Sequence, residues 1–170
     1  MNQQYSAKKI LMQIEENWPE TSSLNHDVSI YLHRIRELGF ADSRTLIAGY
    51  NLSPGEFDIL ASLRRSEPPY TLTPGELQRA VLITSGGLTK LLYQLENSNL
   101  IKRSVQEHDK RSKLVHLTSK GKRTIEKAMN ALLGFHDEWL NKAFTRKERE
   151  QLRQLLGKAA SALEKKNEKS

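Results

Sequence analysis

Two clusters of side chains stand out for the chemistry they could perform. Thr84, Ser85, Gly86, Thr89, Lys90 and Gln94 form a run of small, hydrogen-bonding and cationic groups, and Asp109, Lys110, Arg111 and Lys113 form a second, more highly charged group. These residue types suit the reading of a duplex rather than bond-making. Lys meets guanine acceptors or phosphate, Gln pairs with adenine, and Gly lets the backbone approach closely. An Arg at a hairpin tip reaches the minor groove, where narrow A·T tracts concentrate negative potential. The charge balance agrees with this. Residues 71–123 hold ten Lys and Arg against four acids, an excess of six, while the whole 170-residue chain has a net charge of only +7. A cationic excess focused in one segment is the footprint of a polyanion binder, because neutralising phosphates releases condensed counterions.

Other chemistries find little support. The five His residues show no pair at the three- or four-residue spacing of a helical metal site, and the chain has no Cys, so no metal centre is expected. Neither a Gly-rich phosphate loop nor a G-x-S-x-G nucleophile elbow is present, so neither an enzyme nor a bound cofactor is expected. The absence of Cys also removes any disulfide scaffold or thiol-oxidation switch. Without a long apolar run or an apolar leader near Met1, the expectation is a cytoplasmic protein with no membrane partner. Two rival classes remain: an interaction module whose basic face takes an acidic protein, and an enzyme or carrier that binds a small molecule. Neither accounts for the coincidence of the charge excess with these two polar clusters.

The elements that must position the clusters are marked by local signals. Ser53–Glu56, Thr73–Glu76 and Thr145–Glu148 each read as a capping box, the first two with Pro at the first helical position. Helices are therefore expected from Ser53 to Arg65, for about two turns after Thr73, and after Thr145. Thr84 and Ser85 can cap a helix over residues 85–97 that places Leu88, Leu91, Leu92 and Leu95 on one face and Gly86, Lys90, Tyr93 and Asn97 on the other, with Thr89 and Gln94 on the flanks. Period-two alternation then predicts strands over 101–105 and 113–117, with residues 108–111 as the charged tip of a two-stranded wing. Long amphipathic helices are expected on either side. Residues 24–48 carry Leu24, Val28, Tyr31, Leu32, Ile35 and Leu38 on one seam, and 118–143 carry Ile125, Ala128, Met129, Leu132, His136, Trp139 and Leu140. A further helix over 10–18 ends at Pro19. The resulting fold class is mainly α with a small β wing. It divides into N-terminal helices (1–52), a winged helix-turn-helix (53–118) and C-terminal helices (119–170), with the terminal helices packing against a second copy.

The segment Asp109-Lys110-Arg111-Ser112-Lys113-Leu114-Val115-His116-Leu117-Thr118-Ser119-Lys120-Gly121 resembles the wing-to-helix signature of the MarR transcriptional regulators, and the likeness extends back to about Ser53. The resemblance implies a homodimer on a pseudo-palindromic operator, usually a repressor, with Asp109 orienting Arg111 for the minor groove. Within that family, Phe57-Asp58 to Ser66, Pro68-Pro69 and the extra N-terminal helix bearing Trp18 are similar to the urate-responsive branch. That likeness implies a small-molecule site built from Trp18, Asp58 and Arg65. Leu91 stands where that branch has a recognition-helix Arg, which removes the second cation a urate-like anion would need. The helical spacing supports part of this independently: Asp58 and Arg65 lie seven residues, two turns, apart on one helix face.

Overall fold

The computed structural model describes residues 6–81, 84–106 and 109–167, with the side chains of 105, 106, 109–112, 166 and 167 outside the described set. Among the described residues there are seven α-helices and three strands. In chain order they are α1 (Ala7–Asn17), α2 (Leu24–Ala48), α3 (Pro54–Arg65), β1 (Thr71–Leu72), α4 (Pro74–Val81), α5 (Ser85–Asn97), β2 (Ile101–Gln106), β3 (Asp109–Leu117), α6 (Ser119–Ala143) and α7 (Arg146–Asn167), with a 3-10 turn at Pro19–Thr21.

The helix starts follow from hydrogen bonds local to the sequence. At α3 the Ser53 N–H donates to Glu56 Oε2 at 2.8 Å while Ser53 Oγ accepts from the Glu56 N–H, so two otherwise unpaired donors are satisfied reciprocally. Thr73 with Glu76 and Thr145 with Glu148 repeat the arrangement before α4 and α7. These bonds favour the ionised carboxylates and hold Glu76 and Glu148 below the usual glutamate range. Thr84 caps α5 through the Gly87 N–H, and Thr118 caps α6 through the Gly121 N–H.

α5 ends in a Schellman motif. Asn99 takes a left-handed conformation (φ 57°), its N–H donates to Glu96 O at 2.9 Å, and the Leu100 N–H donates to Leu95 O at 2.9 Å. Leu95 and Leu100, both buried, supply the apolar contact that accompanies such a stop.

The sheet has order β1-β3-β2 and is antiparallel throughout. It differs from the expected two-stranded wing in two respects. Thr71 and Leu72 add a third strand by pairing with His116 and Val115, a partnership no local pattern announces because two residues carry no periodicity. The second difference is that β3 begins at Asp109 rather than Lys113. The register passes from Val105↔Lys113 to Gln106↔Asp109 across a bulge, so residues 110–112 are taken up in the strand instead of the turn. The expected tip residue His108 lies outside the described residues.

The core belongs to the head formed by α3, α4, α5, the sheet and the first half of α6. Ile59, Leu60, Leu63, Leu77, Leu95, Ile101, Val115 and Ile125 are all but removed from solvent. Because Ile125 and Ala128 belong to this core, the expected division at 118 separates stretches of chain that share one apolar interior. The outer helices contrast with this. α1 buries no residue fully and α2 buries only Ile47, while Leu24 on the expected seam of α2 is 78% exposed and Leu155 on α7 is 66% exposed.

Candidate nucleic-acid interface

α5 presents its polar residues to solvent because its apolar ones are held. Leu88, Leu92 and Leu95 are buried beneath the helix, and Thr84, Ser85, Gly86, Thr89, Lys90 and Gln94 are all exposed. Two of these carry structural bonds in the unliganded chain. Thr84 Oγ1 is the helix cap, and Thr89 Oγ1 donates to Ser85 O at 3.0 Å. Ser85, Lys90 and Gln94 therefore present the functional groups with fewest prior commitments among the described hydrogen bonds. A Cβ at Gly86 would meet nothing within 4 Å, so that surface is open to an approaching backbone or base edge.

The wing stands beside this helix and is tied to it. Arg103 of β2 donates through Nε to Glu96 Oε2 of α5 at 2.7 Å and again through Nη2, and its backbone N–H donates to Glu96 Oε1 at 3.2 Å. The Arg103 guanidinium holds the Glu96 carboxyl below the usual range, and Glu96 in turn raises the Arg103 pKa. This clamp is not among the sequence expectations, although a Glu at the end of a helix and an Arg seven residues on, across a tight stop, are a legible signal. A separate tie joins α6 to the end of α5: Lys120 Nζ donates to Ser98 O at 2.9 Å. Arg103 and Lys120 thus hold the protein together, whereas Lys90 on α5 and Lys113 on β3 face solvent. The backbones of Asp109, Lys110 and Arg111 lie in β3, and their side chains fall outside the described residues.

The other three expected site residues separate into a pair and an outlier. Asp58 and Arg65 on α3 line one open cleft of about 270 Å³ with Ala61 and Ser62, and Ala80 and Val81 of α4 line it too. Burial pushes the Asp58 carboxyl up from its usual value, and Arg65 pulls it partly back. Asp58 and Arg65 are nonetheless both exposed, so only part of the carboxyl is shielded from water. Trp18, at the C-terminal cap of α1, is 63% exposed and lines no part of this cleft. Leu91 is half-buried, with its methyl groups against Gly55 of α3. No group of three or more His, Asp or Glu among the described residues is arranged to hold a metal ion.

A short helix bracing a second helix whose polar face is free, followed by a β ribbon clamped to that second helix, defines a winged helix-turn-helix DNA-binding protein. A family model described as MarR family matches residues 50–112. The HTH-type transcriptional regulator PecS of Dickeya dadantii is 35% identical over 114 residues, which cover 67% of this chain and 68% of PecS. Among solved structures, AbsC, a MarR family transcriptional regulator from Streptomyces coelicolor, superposes with a TM-score of 0.72 at 19% identity, covering 84% of this chain and 97% of the other. Bordetella bronchiseptica BpsR, described for the regulation of its DNA binding by 6-hydroxynicotinic acid, superposes with a TM-score of 0.66 at 20% identity, covering 82% and 94% of the two chains. The chain belongs to the MarR family of transcriptional regulators. No helix among its described residues is long and apolar enough to cross a membrane.

Proposed function

We propose that this regulator works as a homodimeric repressor that places its two α5 helices in successive major grooves of a pseudo-palindromic operator and is released by a small aromatic or anionic ligand. The observation that carries the reading is the two-faced α5. Its apolar side is locked into the head, and its Ser, Gly, Lys and Gln side is left in water beside a basic ribbon. Lys90, Gln94 and Ser85 reach base edges or phosphates, while Lys110, Arg111 and Lys113 bring the wing to the flanking minor groove, with Asp109 orienting Arg111.

The exposed apolar stripe of α2 and the apolar side of α7 support the dimer. A Leu side chain moved from water into an interface contributes about 1.5–3 kcal/mol. Leu24, Val28, Tyr31, Leu32, Ile35 and Leu38 lie uncovered along one helix. Pairing spaces the reading heads by about one DNA turn, roughly 34 Å.

The cleft between α3 and α4 is the effector site in this reading. Arg65 supplies a cation, Asp58 a group that accepts or donates according to its protonation, and Ala61, Ala80 and Val81 an apolar wall. Trp18 joins the cleft only if a second copy or a movement of α1 brings it there. A ligand that binds the DNA-incompetent spacing more tightly by about 1–3 kcal/mol lowers operator affinity 5- to 150-fold.

The test begins with selection from a random-duplex pool, followed by fluorescence anisotropy on the enriched site. The expected result is a palindrome with A·T-rich flanks, affinity that falls steeply with salt, and weaker binding by Lys90→Ala, Gln94→Ala and Arg111→Ala. Binding indifferent to sequence would overturn the reading. A thermal-shift screen of aromatic acids, purines and phenols then tests the cleft, since a ligand at 100 times its Kd adds about 2.7 kcal/mol. A hit that survives Asp58→Asn and Arg65→Gln is not bound where this reading puts it.

A further inference from the structure

His116 occupies the centre of the three-stranded sheet, and its imidazole reaches both neighbouring strands. On one side Thr71 Oγ1 of β1 lies 2.9 Å from Nδ1, and on the other Ser104 Oγ of β2 lies 2.7 Å from Nε2. Register explains how one side chain spans both. Thr71 sits directly opposite His116, and Ser104 lies one diagonal step away, two residues beyond the Lys102 that pairs with it, so all of them share one face of the sheet. The other face carries Ile101 and Val115 into the core. A neutral imidazole offers one donor and one acceptor, and a hydroxyl can supply whichever complement is needed, so the clasp closes in either tautomer.

We infer that His116 is a positioning residue for DNA recognition: its clasp on Thr71 and Ser104 fixes the angle at which the wing leaves the head. This inference rests on the reading of the wing as a groove-reaching arm. Where the clasp sits gives it leverage. β1 pairs only with Val115 and His116, so beyond that point the hairpin is an unsupported two-stranded ribbon. From the Lys102↔His116 pair to the Gln106↔Asp109 pair at the far end of the ribbon is four residues of β2, about 13 Å at the usual rise. A rotation of about 10° at the base therefore moves the tip by about 2 Å, more than a hydrogen bond to a base or phosphate tolerates. The core beneath the opposite face anchors the strands in depth, but in-plane splay between β1, β3 and β2 is resisted here by two backbone ladders, of which one is only two residues long. The clasp adds the side-chain tie across that weakest edge.

β1 also carries the connection from α3. Tyr70, which precedes β1, accepts from the Leu117 N–H through its carbonyl at 3.1 Å, and its ring lies under the cations of Arg64 and Lys122 at 5.1 and 5.3 Å from the ring centre. The strand that His116 grips is thus itself held to α3 and α6. The wing angle is referenced to the same helix that lines the Asp58–Arg65 cleft.

The test is a double-mutant cycle on the operator obtained by selection, with the full-length protein and anisotropy as the readout. His116→Phe keeps the ring volume and removes both bonds. We expect it to weaken binding about tenfold and to flatten the preference for A·T over G·C flanks, while discrimination at the base pairs under α5 is retained. In an Arg111→Ala background, whose wing has already lost its tip cation, the same change should alter affinity by less than about twofold. His116→Gln, whose amide supplies a donor and an acceptor, should recover part of the loss. If His116→Phe fails to fold, the paired Thr71→Val and Ser104→Ala variant removes the same bonds without touching the core side of the sheet and takes its place in the cycle. An equal loss in both backgrounds, or wild-type affinity and flank preference in the clasp variant, overturns the inference. Failure of the wild-type protein to prefer any duplex would instead fault the DNA reading on which it depends.

Discussion

Replacing Gly121 with Ala tests how tightly the reading head is joined to α6. A Cβ at this position would lie 2.0 Å from Leu100 O, 2.9 Å from Leu100 C and 2.9 Å from Leu117 Cδ1. An ordinary C···O contact needs about 3.3 Å, so the first turn of α6 and the Leu100 carbonyl must separate by over 1 Å. Neither is free to yield. Leu100 O accepts from the Thr118 N–H at 3.1 Å and from Thr118 Oγ1 at 3.0 Å, and the Leu100 N–H is the closing bond of the Schellman motif on α5. Overpacking of a tight site costs about 1–3 kcal/mol, and loss of one of the Thr118 bonds adds about 1 kcal/mol. The expected destabilisation is thus about 2–4 kcal/mol. Urea unfolding at fixed protein concentration should show it as a lower midpoint with an unchanged slope. In thermal unfolding it corresponds to a fall in Tm of about 4–16 °C for a protein of this size. A variant within about 0.5 kcal/mol of wild type would refute the reasoning, because it would mean that the junction relaxes without cost.

Further expectations concern charge and association. Glu76, Glu96 and Glu148 are all held below the ordinary glutamate value of 4.5. The unfolded chain therefore takes up their protons first, and the stability they contribute is fully present above 4.5 and is lost as pH falls through the lower folded values. Glu96→Gln should blunt that acid loss in equilibrium unfolding, and an unchanged acid limb would count against the Arg103 clamp. Asp58 has the opposite sign: its folded pKa is raised, so ionisation costs stability at neutral pH. Asp58→Asn should leave Tm at pH 7 equal or higher while weakening effector binding, and a lower Tm would contradict the desolvation argument. Leu32→Glu places a charge in the exposed stripe of α2. Sedimentation should report loss of the proposed dimer, and a wild-type sedimentation profile would remove the stripe from its interface.

The parts of this fold that were legible in the sequence are those stabilised by neighbours in the chain. Ser53, Thr73, Thr84 and Thr145 begin helices because the partner of each cap lies three residues away, a distance any local pattern can capture. Apolar spacing alone places the first helix over 10–18. It in fact starts at Ala7, capped by Ser6, because the hydrogen-bonded turn precedes the first apolar residue. The solvent face of α5 was legible for the same reason, since four Leu on one side of a helix decide what the other side shows. Contacts that depend on three-dimensional return of the chain were not legible. β1 is a strand only because Thr71 and Leu72 meet β3, and the His116 clasp joins residues separated by 45 and 12 positions. Of the expected effector residues, Asp58 and Arg65 share a helix and converge, while Trp18 sits on another element whose relation to them no spacing rule could give.

Leu100, whose N–H is tied to the end of α5 and whose carbonyl is gripped by the start of α6, also separates two kinds of target preference. Because α6 runs 25 residues from that junction, about 37 Å, any change in how its distant half meets the second copy of the proposed dimer swings the whole head as a crank arm swings its pin. On the proposed reading, the letters assigned to Lys90 and Gln94 stay the same while the gap between half-sites changes. Evolution could therefore retune operator geometry through residues that never approach a base, and retune operator sequence through residues that never approach the other subunit.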